Sequence, residues 1–494
     1  MPTLNFPVHF LLPASPSPSD GVSAVMRRLL VPIALAGALT GCSILGPDYQ
    51  PEQIDIPERW QWSNQGVGVW PDPAWWQVFR SPELDRLMST AAEGNRDLKA
   101  AVARIAQAEA QAKIAGAALY PTFGADGSAS RSSQNTRLTG RTISKSYGLG
   151  LNAGYQFNLF GAEYASAKAA VTRIEVSRYD RETVALTINT SVAQTYFQIL
   201  TLRERVRIAN NSLANSSRLL GLLEEQRRIG TTSDLEVAQQ RADVATQRAA
   251  IPALVQAERE SLAALALLLG RNPQGFELQA RNLEGLTLPK VISGIPSDLL
   301  LRRPDIRTAE ANLRAANLDI RSARAARFPN IALTASGGTT SALLGSLFSP
   351  ASMLYTLAAS LTAPIFEGGR LEGQEKLSQA RYEELIETYR TAILSSFRDV
   401  DNALSGVDQF RQQYAFNLQA RTEAREAYRL AELRYRAGTI DFLTVLDTQR
   451  AVLQSEDALA QSQLAHINAL VGLYQALGGG WSGTVQPSPP IGQL

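Results

Sequence analysis

Side chains able to do covalent or acid–base chemistry are few in this chain, and they do not cluster. The 494 residues carry two histidines, His9 and His466. His466 lies inside a helical pattern, which fits a packed or solvated helix residue better than a general base. A single cysteine, Cys42, leaves no CxxC pair for redox or metal work. Gly148-Leu149-Gly150 followed by Gly154 has the wrong spacing for a nucleotide loop, and it falls inside an alternating strand where small residues on one face explain it. No Walker-type phosphate loop occurs. With 48 Lys and Arg against 46 Asp and Glu, there is neither a basic field for nucleic acid nor an acidic tail. The chain reads as no enzyme and no nucleic-acid binder.

Cys42 has a specific context. Met26-Arg27-Arg28 gives a basic start, Leu29 to Leu39 an apolar run of 11 residues, and Leu39-Thr40-Gly41 small residues before the thiol. That run is too short to cross a bilayer, which takes ~20 residues, and fits a signal-peptide core. Leu-Thr-Gly-Cys resembles the lipobox of bacterial lipoproteins, in which the thiol takes a diacylglyceryl group and the new N-terminus is acylated. The resemblance implies lipid on Cys42, a signal peptide over 26–41, and no other cofactor. Ser43 is not the aspartate that in many such lipoproteins implies retention at the inner membrane. Residues 1–25 fit no signal pattern, which makes Met26 a candidate start.

The elements that must carry any function are written twice. Asn95-Arg96-Asp97-Leu98 answers Arg303-Pro304-Asp305-Ile306, Tyr120-Pro121 answers Phe328-Pro329, Gly161 answers Gly369, Gly230-Thr231 answers Gly438-Thr439, and Leu269-Gly270 answers Leu477-Gly478, always 208 residues apart. The period is too long for a solenoid unit, so each copy is a half-molecule. Within each copy two stretches alternate with period two: after Pro121 and over 143–157 in the first, after Pro329 and over 353–365 in the second. Apolar residues hold the odd positions, through Phe123, Ala125 and Ala129 after Pro121 and with Lys145 the exception over 143–157, and small or polar residues the even ones. Each half therefore predicts one β-hairpin. Between Gly161 and Gly230, and between Gly369 and Gly438, no proline occurs, which predicts helices of nearly 70 residues, roughly 100 Å long. Ile393, Phe397, Val400, Leu404 and Val407 give the seam of a helix that packs lengthwise. Each long helix should stop at its glycine, and Ser233, Asp234 and Asp441 can cap the helix that returns. Pro252 is expected to interrupt the first returning helix. The implied organisation is a doubtful extension over 1–25, the leader over 26–41, an extended Pro- and Trp-rich arm over 42–93, repeat one over 94–286, a linker over 287–302, repeat two over 303–480 and a tail over 481–494.

Four strands with one apolar face cannot stand alone in hydrocarbon, where an open edge leaves backbone groups unsatisfied. Transmembrane barrels begin at about 8 strands, so several chains must pool theirs around a wet lumen lined by the even face. The fold class expected is mainly α with a membrane β-barrel, continued by a helical tube. A lipid-anchored coiled-coil scaffold would explain the helices and Cys42, but gives no reason for the matched strand parity.

Gly294-Ile295-Pro296-Ser297-Asp298-Leu299-Leu300-Leu301-Arg302-Arg303-Pro304-Asp305-Ile306, together with Ala363-Pro364-Ile365-Phe366-Glu367-Gly368-Gly369-Arg370 and Tyr435-Arg436-Ala437-Gly438-Thr439, resembles the signatures of the outer-membrane factors, the TolC-like exit ducts, and within them the NodT-type lipoproteins of resistance-nodulation-division pumps. The resemblance implies a homotrimer, a 12-stranded barrel in the lipid of the outer membrane of a Gram-negative bacterium, a periplasmic helical barrel closed at its tip, and docking to an adaptor protein and an inner-membrane pump. It further implies that Gly230, Thr231, Thr232, Ser233, Asp234 and Leu235, with Gly438, Thr439, Ile440, Asp441 and Phe442, form the adaptor-facing tips. By the same resemblance Leu443 and Asp447 ring the periplasmic gate, with Glu236 as a partner; an i, i+3 ion pair of Asp447 with Arg450 is the competing role. Small-molecule efflux is the function implied, with a type I secretion duct or a heavy-metal efflux duct as alternatives.

Overall fold

The computed structural model describes residues 49–52, 55–57, 60, 72–137, 140–157, 159–283, 285–289, 299 and 303–491. Cys42, its leader, most of the 287–302 linker and most of the Gly294–Arg302 signature lie outside the described residues. Within them the internal repeat holds to the residue. Helix α2 (Arg96–Ala117) matches α5 (Pro304–Ala325), α3 (Ala162–Arg228) matches α6 (Arg370–Arg436), and α4 (Asp234–Leu268) matches α7 (Phe442–Ala476), every end shifted by 208. Even a capping contact is repeated. Asn95 donates from Nδ2 to the Leu268 carbonyl at 2.7 Å, and Arg303, its counterpart, donates from Nη1 to the Ala476 carbonyl at 3.2 Å.

The chain divides into two compact units. The first, containing residues 120–165 and 320–375, is built on an antiparallel sheet of β1 (Thr122–Thr136), β2 (Gly140–Phe157), β3 (Asn330–Ser341) and β4 (Met353–Thr362), in that spatial order. Odd positions pair with odd positions throughout, for example Ala125 with Leu151 and Leu151 with Gly337. One face therefore collects Phe123, Leu149, Leu151, Leu333, Leu357 and Leu361, and Leu151 and Leu361 remain 68% and 72% exposed. The other collects glycine, serine, threonine and asparagine. On it Gly338 permits a close strand approach, since a Cβ there would sit 2.3 Å from the Leu149 carbonyl oxygen. Strand β4 stops at Thr362 instead of Ile365, because Thr362 pairs with Asn330, where β3 begins. Among the described residues the outer edges of β1 and β4 are both unpaired.

The second unit, residues 51–119, 166–319 and 376–494, is helical. Helices α3 and α6 run unbroken for 67 residues each. No helix among the described residues is long and apolar enough to cross a membrane. Of the predicted seam on α6, Ile393, Phe397 and Val400 are buried, and Leu404 and Val407 are half-buried. Pro252 does not interrupt α4, which is continuous through it; the missing N–H removes one ladder bond without ending the helix. The 42–93 arm is not wholly extended. Ser81 accepts from the Leu84 N–H, Pro82 holds the first helical position, and Glu83 and Asp85 complement the dipole, so residues 82–94 form helix α1 (Pro82–Gly94). Before it, Trp75 and Phe79 enter the main core with Leu84, Met88, Tyr196, Phe197, Leu265 and Val471, and Trp75 stacks on Tyr474 at 5.0 Å. Burial pushes the Tyr474 phenol up to about 12. The tail is likewise held down: Arg178 Nη1 donates to the carbonyls of Gln486 and Pro487, and Trp481 packs edge-on against Tyr179.

Candidate gate and docking turns

Each long helix ends in the way its glycine allows. Gly230 and Gly438 adopt φ of +81° and +72°, with open space where a Cβ would point. The N–H of Gly230 donates to Arg227, and that of Thr231 to Gln226; Gly438 and Thr439 repeat this with Tyr435 and Arg434. This is the Schellman arrangement, which satisfies the last carbonyls and reverses the chain. The returning helices start at once, by two different caps. Ser233 and Glu236 form a reciprocal capping box, in which Thr232 also donates to the Glu236 carboxylate. Asp441 accepts from the Thr444 N–H at 2.9 Å and from its hydroxyl at 2.6 Å. The Thr232 hydroxyl and the Ser233 donors hold the Glu236 carboxyl below its usual range, and the Thr444 donors do the same for Asp441.

Most of the expected docking residues lie on the surface: Gly230, Thr231, Ser233, Asp234, Leu235, Gly438, Thr439 and Asp441 are exposed, and Thr232 and Ile440 half-buried. Phe442 does not belong with them. It is only 1% exposed and packs with Leu223, Val237 and Leu446, its ring 5.8 Å from that of Tyr435. One position after its cap, it faces inward and ties the two turns to a common apolar plug. The Glu236 carboxylate is engaged in the cap of its own helix.

Leu443 and Asp447, one turn apart on α7, share a face and are exposed in the single chain, with 65% of the Asp447 side chain accessible. The expected ion pair is loose: Arg450 reaches Asp447 at 3.9 Å, whereas its Nε donates to Asp243 at 3.0 Å. Asp243 belongs to a buried polar cluster joining α3, α4 and α7. Ser216 donates to Asp243, Gln247 donates to both, and Gln449 donates to Ser216 at 2.7 Å. Gln240 donates to the Ser216 carbonyl. Sequence reasoning missed this cluster, although Val237, Gln240, Val244 and Gln247 keep a 3-4-3 seam in which two glutamines occupy core positions. No group of side chains suited to a metal ion occurs among the described residues.

The geometry has counterparts among known proteins. The outer membrane efflux protein family matches residues 87–271 and 295–479, which are the two repeats. Over 461 residues the chain is 40% identical to the pyoverdine export outer membrane protein OpmQ of Pseudomonas putida, spanning 92% of this chain and 97% of the relative. It is 34% identical to the solvent efflux pump outer membrane protein SrpC of Pseudomonas putida, over 92% and 99% of the two chains. The open state of the MtrE outer membrane channel of Neisseria gonorrhoeae superposes with a TM-score of 0.80 at 31% identity, over 88% of this chain and 98% of that one. Two matched halves, long helical hairpins and a four-stranded sheet with open edges converge: the chain belongs to the outer membrane efflux protein family and is an outer-membrane exit duct.

Proposed function

We propose that this chain is the passive duct of a tripartite efflux pump that discharges small molecules, that it has no enzymatic step of its own, and that its resting tip is closed by Leu443 and Asp447. The observation that carries the reading is the sheet, which has an uncovered apolar face and two unpaired edges; only closure with other copies in lipid satisfies both. The periplasmic adaptor docks on the Gly230–Leu235 and Gly438–Asp441 turns, whose exposed backbone is held in one shape by the caps. Cys42 carries the lipid, and several acyl chains anchor it where one would be marginal. Siderophore-like or solvent-like cargo is favoured over protein by what the names of OpmQ and SrpC say of those relatives.

Three copies of Asp447 facing one axis make a ring of like charges that favours cations and resists closing without neutralisation. In planar bilayers, Leu443→Ala with Asp447→Ala is expected to raise single-channel conductance, weaken cation preference, and make cells leaky to large antibiotics. Wild-type conductance and selectivity in a folded double variant would move the gate elsewhere.

A further inference from the structure

The strands and turns over 122–157 and 330–362 contain five charged residues: Asp126, Arg131, Arg137, Arg141 and Lys145. All lie on the β1–β2 hairpin, and four are cations. Arg131 and Lys145 are registered partners and stand directly opposite each other on the odd face. Like charges in that position destabilise a sheet. Among the described residues of the sheet no acidic side chain pairs with either. Asp126 is on the even face, where it accepts from Asn152 at 3.3 Å, and Arg141 donates to Ser133. Strand β4, the free edge available to close against β1, has no charged residue at all.

Their depth is equally specific. The odd face of β2 is apolar from Phe157 to Tyr147, and that of β1 carries only Phe123, Ala125, Gly127 and Ala129 before the change. Ten residue steps at about 3.4 Å, tilted about 40°, rise about 26 Å, close to the roughly 25 Å apolar band of such barrels. The next odd positions are Arg131 and Lys145. The strand ends by Phe123 and Phe157 continue into α2 and α3, so the cation pair lies toward the hairpin's turn, at the outer boundary.

We propose that Arg131 and Lys145 form a binding site for the phosphorylated headgroup of an outer-leaflet lipid. This rests on the barrel reading above, in which the odd face meets lipid. A guanidinium takes a phosphate through two parallel hydrogen bonds, the ammonium adds a point charge, and the bound anion removes the cross-strand repulsion. Each basic group near an anionic surface strengthens binding roughly five-fold, so losing both should weaken it about thirty-fold.

The test uses the purified full-length trimer in detergent, titrated with bis-phosphorylated lipid A, dephosphorylated lipid A and inorganic phosphate, with adducts counted by native mass spectrometry. The expected result is retention of the bis-phosphorylated lipid alone, lost in Arg131→Ala with Lys145→Ala, kept in Arg131→Lys with Lys145→Arg, and unchanged in Arg137→Ala. Equal retention by the wild type and the alanine pair, or equal retention of dephosphorylated lipid, overturns the site. Inorganic phosphate bound as strongly as the lipid also overturns it, by showing a free-anion site. Conductance of the same preparations separates the two levels of the argument: an alanine pair that conducts normally yet binds normally refutes only the lipid site. A wild type that neither inserts nor conducts removes the barrel reading and the site together.

Discussion

Glu236 and Asp441 open the two returning helices, and both carboxyls titrate below their ordinary values, 4.5 and 3.8, because hydroxyl and backbone donors favour the charged form. A carboxyl depressed in the folded state contributes stability that is complete above its unfolded pKa and lost as pH falls through the folded one. The turns should therefore be at full strength at neutral pH and loosen only below about pH 4.5. Replacing Glu236 by Gln keeps the size and removes the charge. Its melting temperature should fall below that of the wild type at neutral pH, and the gap should close progressively as the buffer is taken toward about pH 3. A gap independent of pH would assign the cap to geometry alone. Ser233→Ala, which removes the other half of the box and one donor to the Glu236 carboxylate, should cost about 1 kcal/mol at neutral pH and less as Glu236 becomes protonated. These residues act on the shape of the turn, whereas Leu443 and Asp447 keep their side chains on the surface of the single chain.

The parity of β2 and β4 makes a sharp demand on the elements. Leu151 and Leu361 stand uncovered on one face, Asn152 and Thr362 on the other. An arginine at Leu151 should cost roughly 2–4 kcal/mol near the bilayer midplane, whereas an arginine at Asn152 should be tolerated in the lumen. Trimer yield after outer-membrane extraction measures the difference, and equal yields would count against an outward odd face. This parity was plain in the sequence, as were the helix ends, because both depend on local rules: alternation, a glycine free to take positive φ, and a side-chain cap within three residues. The elements that were misjudged depend on distant partners. Trp75 and Phe79 read as part of an extended arm, and they are buried because Tyr474 and Phe197 offer rings from far along the chain. The family resemblance placed Phe442 among the tip residues, but a helix one residue old already has an inward face. Gln240, Gln247 and Gln449 broke an apolar seam, and only the position of Ser216 on another helix explains how their amides are satisfied.

At the scale of the whole molecule, the internal repeat specifies how copies meet. A chain whose halves share the ends of three helix pairs approximates a six-fold ring when three copies close, so the join between chains should imitate the join between repeats. Within the chain, β2 pairs with β3 so that Asn152 faces Ser336 and Leu151 faces Gly337. Moving each residue to its counterpart in the other repeat sends β2 to β4 and β3 to β1, and the pairing becomes Ser360 of one copy against Ser128 of the next. Both serines lie on the even face, within reach of an aqueous oxidant in the lumen. Directly opposed residues in antiparallel strands have Cα atoms about 4.5–5.5 Å apart, within the range a disulfide spans. Ser128→Cys with Ser360→Cys should therefore cross-link into covalent trimers under mild oxidation. Moving the first cysteine two places along, as Ser130→Cys with Ser360→Cys, should give far less. Faster cross-linking of the shifted pair would mean that the chains meet in a register the repeats do not share, and that the barrel has three-fold symmetry without the approximate six-fold symmetry beneath it.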